Sequence, residues 1–328
     1  MKILYAIQGT GNGHISRARD IIPHLKNHGE LDLLISGTQA DVNLPYEIKY
    51  KLKGISFTFG KHGGIDLFDS AKNLRPLSFW KDLHEFPVKD YDLIINDFEP
   101  VSAWACKLQK KECIALSHQS AYLSDKTPRP KNHDIVAEQI LKNYAPSTDA
   151  IGFHFGRYDT FIHTPVIRGQ IRQAEVSHNP HITVYLPAYS EEMLIKHFEK
   201  IQEVEWHVFS KHTKETYRKG NIHVAPVNND DFVKSLASGQ GLLTNGGFES
   251  PAEAVYLGKK VMVIPMSNQY EQQCNALGLQ HIGGTTIPKI NKDFEKELRN
   301  WILNVKPVNI DYPDETGEIV AKLVKKYS

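Results

Sequence analysis

Short apolar runs alternate with longer segments of helical apolar spacing along most of the chain. Residues 2–7 read Lys-Ile-Leu-Tyr-Ala-Ile, which is typical of a buried strand, and helical spacing follows over residues 15–28. The rest of the first half predicts strands at 31–36, 91–96, 113–117 and 150–154 and helices at 101–110 and 135–144. Because a parallel strand that is covered on both faces reads as a nearly continuous apolar run, we expect a parallel sheet between two helical layers.

The alternation starts again after about residue 180. It predicts strands at 182–186, 206–210, 222–225, 241–244 and 260–264 and helices at 191–203, 230–238, 251–257 and 271–279. The polar stretch between the halves contains two prolines and a glycine, as linkers often do. We therefore predict an α/β chain of two Rossmann-like domains that face a central cleft, with ligands at the carboxyl ends of the strands. The boundaries are residues 1–166, a linker at 167–180, residues 181–313, and a last helix at 314–328.

Length and composition agree with this architecture and exclude several kinds of protein. At roughly 150 residues per domain, 328 residues make about two domains. Hydrophobic residues make up 41% and charged residues 23%, so the chain is not disordered as a whole. Lys and Arg total 39 against 38 for Asp and Glu, which lacks the basic excess of a non-specific nucleic-acid binder. The three cysteines form no CxxC pair, which fits a reducing cytoplasm and gives no sign of disulfides or structural zinc.

No targeting or membrane-spanning segment is expected. The apolar run at residues 3–7 is too short for a signal-peptide core, and no stretch reaches the roughly 18 apolar residues of a membrane span. Lys322, Lys325 and Lys326 fit the solvated end of a helix. We expect a cytoplasmic protein, and a peripheral contact with a membrane surface is the alternative role for these lysines.

A glycine-rich turn follows the first predicted strand and ends at His14. Gly9, Gly11 and Gly13 allow a tight turn and the close approach of a ligand. The dinucleotide fingerprint GxGxxG would need glycine at position 14, so a nicotinamide cofactor is disfavoured even though Asp32 stands at about the right distance for a ribose contact. At a helix N-terminus the dipole disfavours a protonated imidazole, and a neutral ring can act as a general base. An ordinary polar loop residue is the alternative for His14, and the glycine context favours the base.

A second turn lies in residues 241–276, which read GLLTNGGFESPAEAVYLGKKVMVIPMSNQYEQQCNA. The turn at 245–247 (Asn-Gly-Gly) follows a strand, and residues 250–253 (Ser-Pro-Ala-Glu) predict a helix that opens with a capping box and an early proline. Glycines beside a helix N-terminus form an anion site, for which a diphosphate is the natural ligand. Capping alone would also explain Glu253.

Two stretches of the chain resemble one family. TNGGFESPAEAVYLGKKVMVIP, followed by EQQCNA, resembles the donor-binding signature of UDP-glycosyltransferases with the two-Rossmann GT-B fold. The N-terminal GTGNGHISRA resembles the acceptor-side loop of that superfamily and is similar to the glycine-rich loop of the N-acetylglucosaminyltransferase that forms lipid II. Residues 164–168 are similar to the end of that enzyme's N-terminal domain. The resemblance implies an N-terminal acceptor-binding domain, a C-terminal donor-binding domain, and a last helix that packs back on the first domain.

The resemblance implies a catalytic pair. His14 would be the base that deprotonates the acceptor hydroxyl, and Asp97 would be the carboxylate that orients it, in a relay of carboxylate, imidazole and acceptor oxygen. A carboxylate at the end of a strand also caps helices, so a cap on the helix near Val101 is the alternative role for Asp97.

The resemblance also implies a donor site. Glu253 would bind the ribose hydroxyls, and Val227 would lie near the uracil. Glu271 and Gln272 would contact the transferred sugar, and an ordinary polar first turn of a helix is their alternative role. The predicted diphosphate-binding residues are Gly11, Gly13, Arg168, Asn245, Gly246, Gly247 and Ser250. Glu249 departs from the family pattern, and because its charge would repel a diphosphate we expect it to point away from the ligand.

The acceptor side and the metal requirement rest on weaker patterns. His118 and Gln119 follow another predicted strand and are candidates for the acceptor pocket or for satisfied loop residues. The aromatic-rich segment 54–90, with Phe57, Phe59, Phe68, Leu77, Phe79 and Trp80, is either core or an apolar acceptor pocket or lipid-facing flap. Residues 90–92 have the DxD spacing of metal-dependent transferases but precede a strand, so we expect a turn there, no metal and no cofactor besides the UDP-sugar co-substrate.

The sequence therefore predicts an inverting, metal-independent glycosyltransferase. It would move a hexose from a nucleotide-diphosphate sugar, by resemblance a UDP-sugar, to a hydroxyl of a lipid, glycan or small molecule. Two alternatives are an enzyme like the UDP-N-acetylglucosamine 2-epimerases, which would need no acceptor, and a non-catalytic sugar-nucleotide-binding partner, which would bind the donor without transfer.

Overall fold

A computed structural model of the protein describes residues 1–37, 44–53, 58–59, 65–66, 76–131, 134–267 and 269–328. Within these residues the chain forms two seven-stranded sheets and a two-stranded ribbon. One large sheet takes its strands from the first half of the chain and the other takes them from the second half. The predicted α/β architecture of two Rossmann-like domains is confirmed.

The first sheet is parallel and is covered by helices on both faces. In chain order the strands of this half are β1 (Lys2–Gln8), β2 (Glu30–Ser36), β3 (Tyr50–Leu52), β4 (Thr58–Phe59), β5 (Ile65–Asp66), β6 (Leu93–Asp97), β7 (Ile114–Ser117), β8 (Asp149–Phe153) and β9 (Ile162–His163). The sheet order is β3-β2-β1-β6-β7-β8-β9, and β4 pairs with β5 in the separate ribbon. Alternate residues of β1 enter different cores, because Ile3 and Tyr5 face one helical layer while Leu4 and Ala6 face the other. The helices are Asn12–Lys26, Pro76–Glu85, Pro100–Gln109 and Ile135–Asn143.

The second sheet repeats this plan with one antiparallel edge strand. Its strands are β10 (His181–Tyr185), β11 (Glu205–Ser210), β12 (Tyr217–Lys219), β13 (Ile222–Pro226), β14 (Gly241–Asn245), β15 (Lys260–Ile264) and β16 (Thr285–Thr286). The order is β12-β13-β11-β10-β14-β15-β16, and β12 runs antiparallel to β13. The helices that surround the sheet are Glu191–Phe198, Asn229–Ser238, Glu249–Tyr256, Tyr270–His281 and Phe294–Asn304.

The two halves meet in a shared apolar core and through the C-terminal helix. Phe153 and Phe155 of the first half belong to the same buried cluster as Phe248 and Tyr312 of the second. The last helix, Thr316–Lys326, lies against the helix Asn12–Lys26 and contributes its apolar face to that cluster. The segment between the sheets contains the short helix Gly169–Arg172.

Charged side chains tie the last helix to the first domain. Lys326 pairs with Asp149 at 2.5 Å, and Arg157 pairs with Glu315 just before the helix at 2.6 Å. Lys322 pairs with Glu318 on the same helix. Every helix among the described residues is too short or too polar to cross a bilayer. A contact of these lysines with a membrane surface stays a prediction.

The structure differs from the sequence prediction in three helices and in several short strands. The helix predicted at 191–203 ends at Phe198, and Ile201 and Val204 reach the core from a non-helical segment although they continue the helical spacing. The helices Pro76–Glu85 and Phe294–Asn304 were not predicted. Six strands of two or three residues were also missed, because a period of two cannot be recognised in so few positions.

Candidate functional site

The carboxyl ends of three neighbouring strands bring the N-terminal site residues together. His14 lies in the first turn of the helix that follows β1, Asp97 is the last residue of β6, and Gln119 follows β7. Because β1, β6 and β7 are adjacent and parallel, their carboxyl ends meet at one edge of the sheet. The turn at residues 245–247, predicted to bind the donor, follows β14 in the other sheet and faces this edge, since Glu249 just after it pairs with Arg17 of the first domain.

His14 and Asp97 form a buried pair. His14 Nδ1 lies 2.7 Å from Asp97 Oδ1, and the Asp97 side chain is fully buried. The cap that was the alternative role for Asp97 is provided by Glu99, whose carboxylate accepts from the backbone N–H groups of Val101 and Ser102 at 2.8 and 2.7 Å. Phe98, between Asp97 and Glu99, adopts a positive φ of 58°, which turns the chain sharply after the strand. Asp97 is therefore free to orient the histidine.

Arg17 completes this cluster, and the sequence analysis missed it. Its guanidinium donates to both carboxylate oxygens of Asp97, at 2.6 Å (Oδ1) and 3.2 Å (Oδ2), and lies 3.1 Å from His14 Nδ1. Burial raises the pKa of Asp97, but Arg17 and His14 outweigh it and hold that pKa below its usual value. The spacing of three residues between His14 and Arg17 was the available signal, since such residues share a helix face.

Glu249 crosses from the donor turn to the N-terminal domain. It forms an ion pair with Arg17, and a Cβ added at Gly13 would lie 2.8 Å from its Oε2 atom. A side chain at position 13 would therefore require the Glu249 carboxylate to shift. Gly11 has a φ of 86°, which also favours glycine. The expectation that Glu249 avoids the diphosphate stays a prediction, and its actual partner is Arg17.

The donor turn is held by amide side chains. Asn245 donates from Nδ2 to the Ile264 carbonyl at 2.8 Å, while its buried Oδ1 has no hydrogen-bond partner. The backbone N–H of Gly246 donates to Gln272 Oε1 at 3.1 Å, and its carbonyl accepts from Asn275 Nδ2 at 3.0 Å. Gly247 is exposed and would leave open space even around an added Cβ. The turn thus has one exposed glycine and one buried oxygen without a partner.

The predicted capping box is wrong. The helix begins at Glu249 rather than at Pro251, and its N-cap residue Phe248 makes no side-chain cap bond. Glu253 does not turn back to Ser250, because it forms a two-point ion pair with Arg168 through Nε and through Nη2, the latter at 2.7 Å. The Glu253 carboxylate, which the capping box would have used, therefore binds Arg168 of the predicted linker.

Arg168 and Glu253 lie together beside the predicted nucleoside site. Both side chains are buried, and Arg168 also donates to Asn229 Oδ1 at 2.7 Å. Val227 follows β13, two residues before Asn229, and is partly exposed. Glu253 already binds Arg168 with both oxygens, so a ribose would share that carboxylate with the guanidinium. The roles of Arg168, Glu253 and Val227 in donor binding stay predictions.

A line of polar groups connects the donor side to His14. Gln119 Nε2 donates to Glu271 Oε1 at 3.0 Å and lies 3.5 Å from His14 Nε2. The Oε1 atom of Gln119 is buried without a partner. Gln272, in contrast, uses its own Oε1 to accept from the backbone of Gly246 and Met266, so this atom supports the donor turn.

His118 lies where the two domains meet. Its Nδ1 donates to the Phe153 carbonyl at 2.8 Å, its Nε2 lies 2.7 Å from Asn275 Oδ1, and its ring stacks on Phe248 at 3.8 Å. Burial lowers the pKa of His118 to about 4. Both nitrogens face acceptor oxygens, and a neutral ring can donate to one of them. A role of His118 in the acceptor pocket stays a prediction.

The low pKa of His118 predicts a loss of stability in mild acid. Unfolded His118 takes up a proton below its ordinary pKa of 6.5, whereas the folded residue does so only near pH 4. The contribution of His118 to the free energy of unfolding is therefore expected to be constant above pH 6.5 and to fall by about 3 kcal/mol as the pH drops towards 4. Urea unfolding at pH 7 and pH 5 measures the slope, and His118→Phe, which keeps a ring against Phe248, should flatten it.

Other histidines set the control for this measurement. His154 and His207 also have lowered pKa values, mainly through burial, so the slope of the variant should shrink without vanishing. The exposed His212 provides the matched control, since His212→Phe should leave the pH dependence unchanged. An unchanged slope in the His118 variant would contradict the assignment.

Several weaker candidates lie outside the site. Residues 90–92 stand at the opposite edge of the first sheet, where Val88–Asp90 form a 3-10 turn and Asp92 accepts from the backbone N–H of Lys2. Asp32 binds Lys49 and Tyr91. Of the aromatic segment, Phe57 and Phe68 lie outside the described residues, as do the side chains of Phe59 and Leu77. Phe79 packs against a core, and Trp80 is 55% exposed.

Comparison with known proteins identifies the family. The model of the family described as glycosyl transferase family 1 matches residues 1–305. The chain belongs to this family. It is therefore a glycosyltransferase, and comparison with curated proteins finds no match.

Solved structures place this family member in the GT-B fold. The spinosyn forosaminyltransferase SpnP is similar with a TM-score of 0.59 at 11% identity, covering 100% of this chain and 95% of that one. UGT89C1 of Arabidopsis thaliana, in complex with UDP, is similar with a TM-score of 0.57 at 14% identity over 99% and 94% of the two chains. A UDP-N-acetylglucosamine 2-epimerase is similar with a TM-score of 0.59 at 13% identity over 100% and 96%. At these identities the likeness concerns the fold alone.

Proposed function

We propose that the protein is an inverting glycosyltransferase in which His14 is the general base. The observation that carries this proposal is the 2.7 Å contact between His14 Nδ1 and the buried Asp97 carboxylate. Because an ionised carboxylate can only accept, Nδ1 carries the proton in this contact, and the lone pair of Nε2 remains available to take another.

The reaction is a single displacement. The acceptor hydroxyl gives its proton to His14 Nε2, and its oxygen forms a bond to the anomeric carbon of the donor sugar. The bond from that carbon to the diphosphate oxygen breaks on the opposite side, and the nucleoside diphosphate leaves with the electron pair. One base and in-line attack invert the anomeric configuration, and Asp97 stabilises the imidazolium that forms.

The donor is expected to bind at the turn after β14. Asn245 Oδ1, buried without a partner, and the exposed backbone of Gly247 are the groups that would meet a polar ligand there, with Ser250 on the following helix. Backbone N–H groups at this helix N-terminus would offset the charge on the leaving diphosphate, so no metal is required. UDP is the proposed nucleotide, in keeping with the UDP complex of UGT89C1.

The acceptor is expected to have an apolar part. An open apolar groove of about 500 Å³ is lined by Ile135, Val136, Gln139, Ile140, Asn143 and Tyr144. The Tyr144 ring lies 4.8 Å from Phe98, and Phe98 in turn stacks with His14 at 6.2 Å between ring centroids. An acceptor whose apolar part binds in this groove would extend past Phe98 towards the proposed base.

An epimerase is the second candidate, since one such enzyme shares the fold. Acceptor dependence separates the two. A panel of nucleotide sugars is first screened by thermal shift, and those that stabilise the protein are then incubated alone, with a library of apolar alcohols, and with alcohols plus a chelator. We expect a glycosylated alcohol of inverted anomeric configuration, formed equally with the chelator present. Conversion of the sugar without any alcohol would favour the epimerase, and binding without any reaction would favour the non-catalytic partner.

A further inference from the structure

Two histidines and a glutamate lie together on the second sheet, away from the cleft. Glu205 and His207 stand two residues apart on β11, so their side chains point to the same face. His223 stands opposite His207 on the neighbouring strand β13. All three lie near the starts of their strands, whereas the transfer site lies where the strands of this sheet end. The cluster is therefore separate from the proposed chemistry.

The distances suit a shared cation. His207 Nε2 and His223 Nε2 each lie 3.9 Å from Glu205 Oε2, and the three atoms lie within 4.8 Å of one another. Ligand atoms around a tetrahedral Zn²⁺ with bonds of 2.0–2.2 Å are about 3.4 Å apart. Side-chain rotations that shorten the two nitrogen–oxygen distances by about half an ångström, and the distance between the two imidazole nitrogens by up to about 1.4 Å, would complete the geometry.

His207 is prepared to act as a ligand. Its Nδ1 lies 3.1 Å from Ser235 Oγ, and Ser235 Oγ is also bonded to Thr183 at 2.7 Å. A hydrogen bond at Nδ1 fixes the ring orientation and leaves the Nε2 lone pair for a metal, as is usual for metal-binding histidines.

His223 carries an atom without a partner. Its Nε2 is buried and makes no hydrogen bond, although the ring as a whole is about one-third exposed. A buried imidazole nitrogen that has no partner is costly unless a ligand satisfies it. The Nε2 atoms of His223 and His207 both face the Glu205 carboxylate. A cation between the three groups would give His223 Nε2 the partner that it lacks.

We propose that Glu205, His207 and His223 bind one divalent transition-metal ion of the Zn²⁺ class. Two imidazole nitrogens and one carboxylate oxygen are a ligand set that Zn²⁺ favours, with water in the fourth position. The ion would link β11 to β13 and, through Ser235, hold both strands to the helix Asn229–Ser238. Its role would be to stabilise this edge of the donor domain, and the inference does not depend on the transfer reaction.

Two more basic side chains, Arg218 and His181, lie beside the proposed metal site. Arg218 donates to the second oxygen of Glu205 at 3.1 Å and brings a positive charge close to the ion. Both of these side chains are about half exposed, so their pairing is weak and can be displaced. His181 stacks on His207 but uses its Nε2 to donate to the Ser235 carbonyl, and this nitrogen is therefore not a ligand.

Metal titration of the full-length protein tests the proposal. Protein freed of metal by a chelator is titrated with Zn²⁺ by calorimetry, and with Co²⁺ by visible absorption. We expect one tight equivalent, a higher melting temperature with Zn²⁺, and the absorption of tetrahedral Co²⁺. His223→Gln should weaken binding at least tenfold, whereas Arg218→Gln should tighten it by about two- to fivefold.

A matched histidine variant separates this site from weak binding elsewhere. His212 is exposed in the same domain and lies outside the cluster, so His212→Gln should bind Zn²⁺ like the unmodified protein. The proposal is overturned if the protein binds no stoichiometric Zn²⁺, or if His223→Gln and His212→Gln bind it equally. Circular dichroism of the His223 variant at pH 7 confirms that the fold is retained, since its ring is partly exposed.

Discussion

His14→Ala is expected to lower kcat by about 10²- to 10⁴-fold while leaving the dissociation constant of the donor unchanged. His14 lies on the N-terminal domain, against Asp97, whereas the groups proposed to bind the donor surround the turn after β14. The substitution therefore removes proton transfer without removing the donor site. Steady-state turnover with the acceptor found by the panel, together with calorimetry of UDP binding, measures both quantities.

A control and a second variant sharpen this result. His24 lies on the same helix, away from Asp97, so His24→Ala should keep its turnover. Asp97→Asn should also lose turnover, because the amide can no longer act as the charged acceptor that fixes the proton on Nδ1. Turnover that survives in His14→Ala would show that another group is the base, and loss of UDP binding would show that His14 acts in donor binding.

Arg17→Gln is expected to reduce the free energy of unfolding by about 3–5 kcal/mol. Arg17 is 2% exposed and is bonded to the buried Asp97 and to Glu249. Without it, the Asp97 carboxylate keeps only the contact with the His14 ring and, at 3.4 Å, a hydrogen bond from the Tyr5 hydroxyl. A buried carboxylate that has lost its cationic partner destabilises the folded state.

Two further substitutions separate the ion pair from a general effect of charge on this helix. Arg17→Lys keeps the charge but not the two-point contact, and it should restore only part of the lost stability. Lys26→Gln removes an exposed cation from the same helix and should leave the stability unchanged. Urea unfolding of the three variants is the measurement. A free energy of unfolding that stays unchanged in Arg17→Gln would contradict the role given to this ion pair.

Glu249 links the second domain to this cluster. The residue was noticed in the sequence as a departure from the family pattern, and its partner could not be inferred there because Arg17 lies 232 positions away. In the structure Arg17 is bonded to Asp97 and to Glu249, so the carboxylate of the second domain adds a second anionic partner to the buried guanidinium.

The long apolar runs determined most of the fold. Every strand predicted from the sequence is present, because apolar residues predominate in each of these segments. Strands of two or three residues carry no such period, and the helix predicted past Phe198 ended early because Ile201 and Val204 could reach the same core without helical backbone. The apolar spacing therefore identifies the main strands and most of the helices, while the ends of helices and the short strands depend on the neighbouring elements.

The site divides in the same way. By itself the sequence determined two glycine-rich turns, a histidine at a helix N-terminus and a carboxylate at a strand end, because each is a local feature of a few residues. Only the tertiary structure decided how the side chains pair. Glu253 binds the linker's Arg168 instead of closing a capping box, Glu99 caps the helix that Asp97 could have capped, and Glu249 reaches Arg17. These partners are far apart in the chain and come together only when the domains fold. A buried charge pairs with the opposite charge that lies nearest in space, and the sequence does not give that distance.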